Sequence, residues 1–483
     1  MKILKYFRFS LLILLCAAML IVTACSSEPE KPSGTLTDIQ NDTGKIWEVP
    51  VENMNEKEIR ILSSGWFGSE SPGDIAPESA NSETLNDAAY ERKIKIEMMY
   101  NCKIKHIGST LAPNEHAKML ADSVLADDKA YDIALVRGFS FASLLTGNTL
   151  LELGNLHYTD FDNPWWQKDC SDALLIAGRR YGVSGSMTTA EIDVASLICF
   201  NKAIVANNGL ESPYDLVKSG DWTIDKLAEM SKKVTQDING DGKMSGADLW
   251  GICYDRDRVW NLLNSCGIKL IEQDSDGIPQ VVIDSGNNIT KIQNVFNILF
   301  DESYSANWRR ILVYEEGGGF GEGKVLFQFD WATGVVASRA SEIDFGIIPL
   351  PKYDTKQPEY LPNVYGLGVP IICVPSTNAD VENTGLFLEA FSYEGYNTVI
   401  PAFYENLLKT KSARDDESEE MIDFIFDNLH YDMGTLLNID SFTQTVAAMC
   451  ETKSYDITSV AEKNKPRLQR AIKKILDNIE AEG

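Results

Sequence analysis

Basic charge is scarce in this chain. Its 483 residues hold 44 Lys plus Arg against 71 Asp plus Glu, a formal net charge of −27. That balance excludes a nucleic-acid partner and an electrostatic grip on anionic lipid headgroups. Histidine is scarcer still, and His106, His116, His157 and His430 are scattered. The sequence has no HExxH, no GxSxG elbow and no Cys/His pair at catalytic spacing, so nothing in it points to an enzyme. Carboxylates are too numerous for one pair to stand out as acid and base. The stretch GGFGEGKV (318–325) comes close to a phosphate loop. It ends in Val325, which has no hydroxyl for magnesium, and it leads into strand-like sequence where a phosphate loop would open a helix. Cysteine shows no pairing pattern. Beyond Cys16 and Cys25 in the leader, seven remain, none in a CxxC and most in apolar runs such as SLICFNK and PIICVP. An odd number of this kind reads as buried free thiols, not as a disulfide framework.

The N-terminus is more informative. Lys2, Lys5 and Arg8 precede LLILLCAAMLIV, an apolar run too short for a comfortable membrane span, and small residues follow. This is the build of a secretory signal. Val22, Thr23, Ala24 and Cys25 resemble a bacterial lipobox, where cleavage precedes a lipid-modified cysteine. Residues 1–24 are therefore expected to be removed. Residues 25–49, rich in Ser, Pro and Gly, then form a tether from a lipid anchor at Cys25 on the outer face of a membrane. With 44% apolar and 24% charged residues the remainder is globular. At roughly 100–200 residues per domain it forms two or three domains.

The pattern after the tether alternates. EIRILSS (58–64) has a period of two and reads as a strand; TLNDAAYERKIKIEMMYNC reads as a helix with Thr84 and Asp87 as a capping box. CKIKHIG is a strand, EHAKMLADSVLAD a helix, and YDIALVR (131–137) a strand. The order β-α-β-α-β implies a parallel sheet. Further on, WTIDKLAEMSKKV (222–234) is a helix with Thr223 at its N-cap, and LWGICY (249–254), KVLFQFDW (324–331), FGIIPLP (345–351) and VYGLGVPIICVP are strands. From Asp380 the chain is mostly helical, and the acidic run RDDESEE (414–420) reads as a solvated helix start.

Between that helix and LWGICY lies DINGDGKMSGAD, from Asp237 to Asp248. It has calcium-loop spacing: Asp237, Asn239, Asp241 and Ser245 at positions one, three, five and nine, a Lys243 carbonyl at seven, and Gly242 for the sharp turn at six. Asp248 at twelve is shorter than the usual closing Glu. A structural calcium ion is expected here; the alternative is a polar turn without metal. A sensor pairs two such loops between helices, so an ion here would staple one lobe and would not act as a signal.

These landmarks resemble the extracellular solute-binding proteins of ABC importers, family 1, the maltose- and oligosaccharide-binding group. The likeness is carried by the lipobox, by LICFNKAIVANNGLESPYDLVKSGDWTIDKLAEMSKKVTQD (197–237), by LWGICY, by GKVLFQFDW with DFGIIPLPKYD, and by TKSARDDESEEMIDFI, and it spans roughly residues 56–475. It implies an α/β, two-lobe periplasmic-binding-protein fold with an interdomain hinge and a ligand cleft. A closed form would dock on ABC permease subunits driven by a separate ATPase. Lobe one is placed at 50–190 plus 350–400 and lobe two at 194–345 plus 401–483, with crossovers near Asp193, Pro349 and Pro401. The resemblance also implies a monomer, and a calcium shell completed by an acid from elsewhere, as in galactose-binding relatives.

A sugar has flat apolar faces ringed by hydroxyls, so its site needs aromatic platforms and planar polar side chains near strand ends. The candidates are Trp66, Arg137, Trp166 in preference to Trp165, Asp193, Asp255, Asp257, Arg258, Trp260, Asp330, Trp331, Tyr365 and Tyr404. A tryptophan at any of these positions could equally be core, and Trp222 and Trp250 are expected to be core. Arg258 beside Asp257 could be a plain surface ion pair. The function expected is a lipid-anchored receptor for a carbohydrate, most simply a neutral oligosaccharide. The alternatives are a peptide, a polyol or another small solute, or a surface glycan-active enzyme or adhesin.

Overall fold

The computed structural model describes residues 50, 52–65, 73–190, 192–308, 319–337, 342–408 and 415–481. The leader, Cys25 and Trp66 lie outside the described residues. Nine strands build the two main sheets: β1 (Lys57–Ser64), β2 (Cys102–Ser109), β3 (Ile133–Arg137), β4 (Ser196–Asn201), β5 (Trp250–Tyr254), β6 (Ser305–Asn307), β7 (Val325–Trp331), β8 (Phe345–Ile348) and β9 (Pro370–Cys373).

The first sheet runs β9-β3-β1-β2, and β1 pairs in parallel with both β2 and β3, as the alternating pattern implied. Parallel strands are joined by crossover helices, here α1 (Thr84–Tyr100) and α2 (Pro113–Ala126). The capping box expected at α1 does not form. Glu83 is the N-cap, and Asp87 turns back to accept from the backbone N–H groups of Asn81 and Ser82 at 2.8 and 3.1 Å. β9 closes the sheet antiparallel to β3.

The second sheet runs β8-β4-β7-β5-β6. β5 is parallel to β6 and β7, whereas β4 is antiparallel to β7 and β8. All six residues of β4 are buried, as for a strand covered on both faces. Thr223 caps α3 (Ile224–Val234), accepting from the Lys226 N–H at 3.3 Å. Trp222 is fully buried, packs on Phe327 with ring centroids 5.2 Å apart, and donates to the Pro349 carbonyl at 2.9 Å. Trp250 is likewise core. All seven cysteines that follow the leader are free and buried.

The chain passes between the sheets along neighbouring paths. Residues 192–195 lead into β4 and residues 364–369 lead into β9, and the two segments pair antiparallel at Ala195 and Val364. The Tyr365 N–H donates to the Val194 carbonyl at 2.9 Å. The second passage therefore lies beyond Pro349: the chain stays against α3 through Lys352, whose carbonyl accepts from the Ile224 N–H at 2.9 Å. A third passage occurs inside a helix. Phe387 and Phe391 of α4 (Val381–Glu394) pack with Ile59, Ile61 and Ile372 of the first sheet. A wide turn, Gly395–Val399, then leads into α5 (Ile400–Leu408), whose Phe403 packs with Phe345 and Ile347 of the second sheet. Gly395 is required there, since a Cβ would fall 1.9 Å from the Ser186 carbonyl oxygen. Asp415 caps the helix Asp416–Asp427, which has three acids in its first turn. Among the described residues, no helix is long and apolar enough to cross a membrane.

Candidate ligand-binding site

Three parallel strands of the second sheet finish at one edge. Asp255 follows β5, Trp308 follows β6, and Asp330 and Trp331 end β7. Open α/β sheets present ligand sites at this carboxyl edge. Arg258, on the short turn after Asp255, joins the group. Its guanidinium lies 4.0 Å from the Trp331 ring centroid, donates to Asp330 Oδ1 at 3.3 Å, and comes within 3.9 Å of Asp255. Asp255 is held in turn: Oδ1 accepts from the Asp257 N–H at 2.7 Å and Oδ2 from Trp308 Nε1 at 2.5 Å. Tyr365, from the passage into β9, stacks on Trp331 with centroids 4.9 Å apart and planes 27° apart.

Burial sets the electrostatics of this group. It raises the Asp330 carboxyl above its ordinary value, against the pull of Arg258. It raises the Tyr365 phenol strongly, helped by the charges of Asp257 and Asp255. Two donors here, Trp331 Nε1 and Arg258 Nε, are enclosed and lack an acceptor among the described residues. An enclosed unpaired donor costs on the order of 1–3 kcal/mol, which an incoming hydroxyl would recover.

The first sheet contributes a second half. Arg137 ends β3 and donates to the carbonyls of Gly368 at 2.6 Å and Ser64 at 3.3 Å. Burial lowers its pKa to about 10, opposed by Asp193 and Asp74. Asp193, beside the first passage, is pushed up to about 7 by burial and by Asp74, with Arg137 opposing. Asp74 accepts from Thr188 Oγ1 at 2.9 Å and from the Thr189 N–H at 2.6 Å. These groups border a cavity of about 460 Å³. Beneath it the buried Arg92 donates to the carbonyls of Asp74, Ile75, Ser186 and Met187, fixing the floor. The turn from Tyr365 to Gly368 links the halves: one end stacks on Trp331 and the other accepts from Arg137.

Other candidates fall elsewhere. Asp257 pairs with Arg256 at 3.3 Å, not with Arg258, and Arg256 reaches on to Glu451 at 3.2 Å. Trp260 is a core residue, 2% exposed, whose Nε1 donates to the Thr443 carbonyl at 2.7 Å. Trp166 is core too. It donates to the fully buried Glu389 at 2.9 Å, and so does Trp165 through the other carboxylate oxygen. Tyr404 packs edge-on against Phe426, with centroids 6.3 Å apart, in the apolar cluster around Phe345. Trp308 and Asp74 were missed. Trp308 follows a three-residue strand too short for a periodic signal, and Asp74 sits in a Pro- and Gly-rich loop without one.

The loop Asp237–Asp248 is closed by its own side chains. Asp237 accepts from the N–H groups of Gly240 and Gly242, Asn239 from that of Asp241, and Asp241 from that of Lys243, all at 2.7–2.8 Å. Asp248 is fully buried and accepts from the N–H groups of Ile238 and Ser245 and from Ser245 Oγ. A cation would therefore draw on Asp237, Asn239, Asp241 and the Lys243 carbonyl, with Asp248 and the Ser245 hydroxyl retained by the loop. Among the described residues no group of three His, Cys, Asp or Glu side chains gathers for a metal ion.

No family model matches the sequence, and no curated protein matches it. Solved structures do match. An ABC substrate-binding protein from Listeria monocytogenes in complex with cycloalternan superposes with a TM-score of 0.55 at 12% identity, over 86% of this chain and 99% of that one. The chain has the two-lobe α/β fold of solute-binding proteins. A cyclic alpha-maltosyl-1,6-maltose binding protein from Arthrobacter globiformis gives 0.56 at 14% identity, over 86% and 99% of the two chains. The ABC transporter associated binding protein from B. animalis subsp. lactis in complex with beta-1,6-galactobiose gives 0.56 at 13%, over 87% and 98%. In this solute-binding fold the two passages at Ala195 and Val364 join the sheets beside both halves of the site.

Proposed function

We propose that this protein is the lipid-anchored, extracellular solute-binding component of an ABC importer. It takes a carbohydrate, an oligosaccharide in the simplest reading, between its two lobes and delivers it to the permease without transforming it. The observation that carries this reading is the stack of Arg258, Trp331 and Tyr365, flanked by Asp255 and Asp330 at the carboxyl edge of the second sheet. The half-buried Trp331 ring suits the apolar face of a sugar ring, and the planar carboxylates and guanidinium suit its hydroxyls in pairs. The similar folds that hold cycloalternan and beta-1,6-galactobiose support a saccharide ligand.

In this reading residues 50–190 with 350–400 move as one lobe and 194–345 with 401–483 as the other, hinged at the passages. Cys25 carries the lipid, and the protein acts as a monomer. Calcium at the Asp237–Asp248 loop is structural and takes no part in ligand choice.

A thermal-shift screen of the chain lacking residues 1–25 tests the reading. A ligand that binds only the folded state raises the melting temperature with its occupancy. Oligosaccharides are expected to raise it. If amino acids or peptides raise it and no glycan does, the carbohydrate reading is wrong.

A further inference from the structure

The half-site on the first sheet differs in chemistry from the aromatic half. Asp74, Glu83 and Asp193 line its cavity of about 460 Å³, and Arg137 is the one cation among the lining residues. Arg137 is committed to the backbone: it is 7% exposed, and its donors serve the carbonyls of Gly368 and Ser64. Asp74 is committed as well, with one oxygen on the Thr188 hydroxyl and the other on the Thr189 N–H. Asp193 is different. It is half-buried, its carboxylate borders the cavity, and it accepts no hydrogen bond from the described residues. A sugar hydroxyl would give it one donor and leave its charge beside that of Asp74. An ammonium brings three donors and the opposite charge.

We infer that this pocket receives a protonated amino group, so that the saccharide recognised carries at least one basic amine, held at Asp193 beside Asp74 in the manner of an amino sugar. The inference rests on the carbohydrate reading and narrows it. The aromatic half takes the ring faces, and the acidic half selects the substituent.

The surrounding charges agree. Asp74 and Glu83 come from the segment before and at the start of α1, Arg137 from β3, and His106 from β2 lies within the field of Asp74. Burial lowers His106 below its ordinary value, so it adds no cation at neutral pH. Burial and Asp74 hold the Asp193 carboxyl near 7, so an arriving ammonium expels a proton from a site that already balances between its two forms.

Calorimetric titration of the full chain tests this with matched pairs: glucosamine against glucose, galactosamine against galactose, and chitobiose against cellobiose. At about pH 7 the amine member of at least one pair is expected to bind about tenfold more tightly than its hydroxyl counterpart, with release of a proton. At about pH 5, where Asp193 is protonated, that ratio is expected to fall toward one. Asp193→Asn is expected to abolish the ratio at both pH values. Should this variant fail to fold, the wild-type ratio and its pH dependence still decide. Equal affinities within every pair overturn the inference and leave the carbohydrate reading standing. Binding of peptides with no member of any pair bound overturns both.

Discussion

Trp331 and Tyr365 stack face to face, with centroids 4.9 Å apart, although 34 residues separate them and they arrive from different supports. Trp331 ends a strand of the second sheet, and Tyr365 stands in the segment that crosses to the first. Arg258 lies over the Trp331 ring as well, its guanidinium 4.0 Å from the centroid. The ring is therefore fixed by two contacts before any ligand arrives, which lowers the ordering cost of binding.

Arg258 also opposes the burial that raises the Asp330 carboxyl. Replacing it with Met removes this cation from Asp330, and burial, no longer opposed, raises the carboxyl further. The expected loss is about 3 kcal/mol in urea denaturation at neutral pH. It should shrink as pH falls through the raised Asp330 value, above the ordinary carboxylate range, where protonation removes the unpaired charge.

Asp193 gives the fold a pH dependence with a defined sign. Its folded pKa, about 7, lies above the ordinary 3.8. The folded state therefore holds the proton more tightly, and stability present below the ordinary value is lost as pH rises through about 7. Asp193→Asn removes that loss. The variant is expected to be more stable than the wild type at about pH 8, by up to about 4 kcal/mol, with the gap closing toward pH 4 in parallel denaturation curves.

Glu389 is a structural acceptor. It receives the Asn163 amide at 2.7 Å and the two indole N–H groups at 2.9 Å, and burial raises its carboxyl. Glu389→Leu removes the acceptor shared by three buried donors. Destabilisation of about 3 kcal/mol or more is expected, with the ratio of affinities for different saccharides unchanged.

Calcium added to chelator-treated protein is expected to raise the melting temperature, and the double substitution Asp237→Ala, Asp241→Ala to remove the rise. Ligand preference should be the same in both proteins. A change of preference in the double variant would give the ion a role in recognition.

Much of the fold was legible because strands leave a strong local signal. The period-two run at 58–64 and the helices after it gave the parallel order of the first sheet. The Thr223 cap and the core positions of Trp222 and Trp250 followed from local pattern and burial. The passages were harder to place. Asp193 falls beside the first, but Pro349 does not mark the second, because the apolar strand end continues against α3 before the chain leaves. The strand-end positions of Arg137, Asp255, Asp330 and Trp331 were legible because strand ends could be counted. It was illegible where a tryptophan's partner lies far along the chain: Trp166 and Glu389 are 223 residues apart, and nothing near Trp166 announces a buried acceptor. Tyr365 was a candidate from its place near a crossover, but its stacking on Trp331 is set by the backbone passage and has no local sequence signal.

The central claim is that the Trp331 platform holds a saccharide. Calorimetric titration of the tightest-binding oligosaccharide into wild-type protein and Trp331→Ala tests it most directly. Loss of about tenfold or more in affinity is expected at a temperature where the variant is still folded. An unchanged affinity in a folded Trp331→Ala variant would contradict the account.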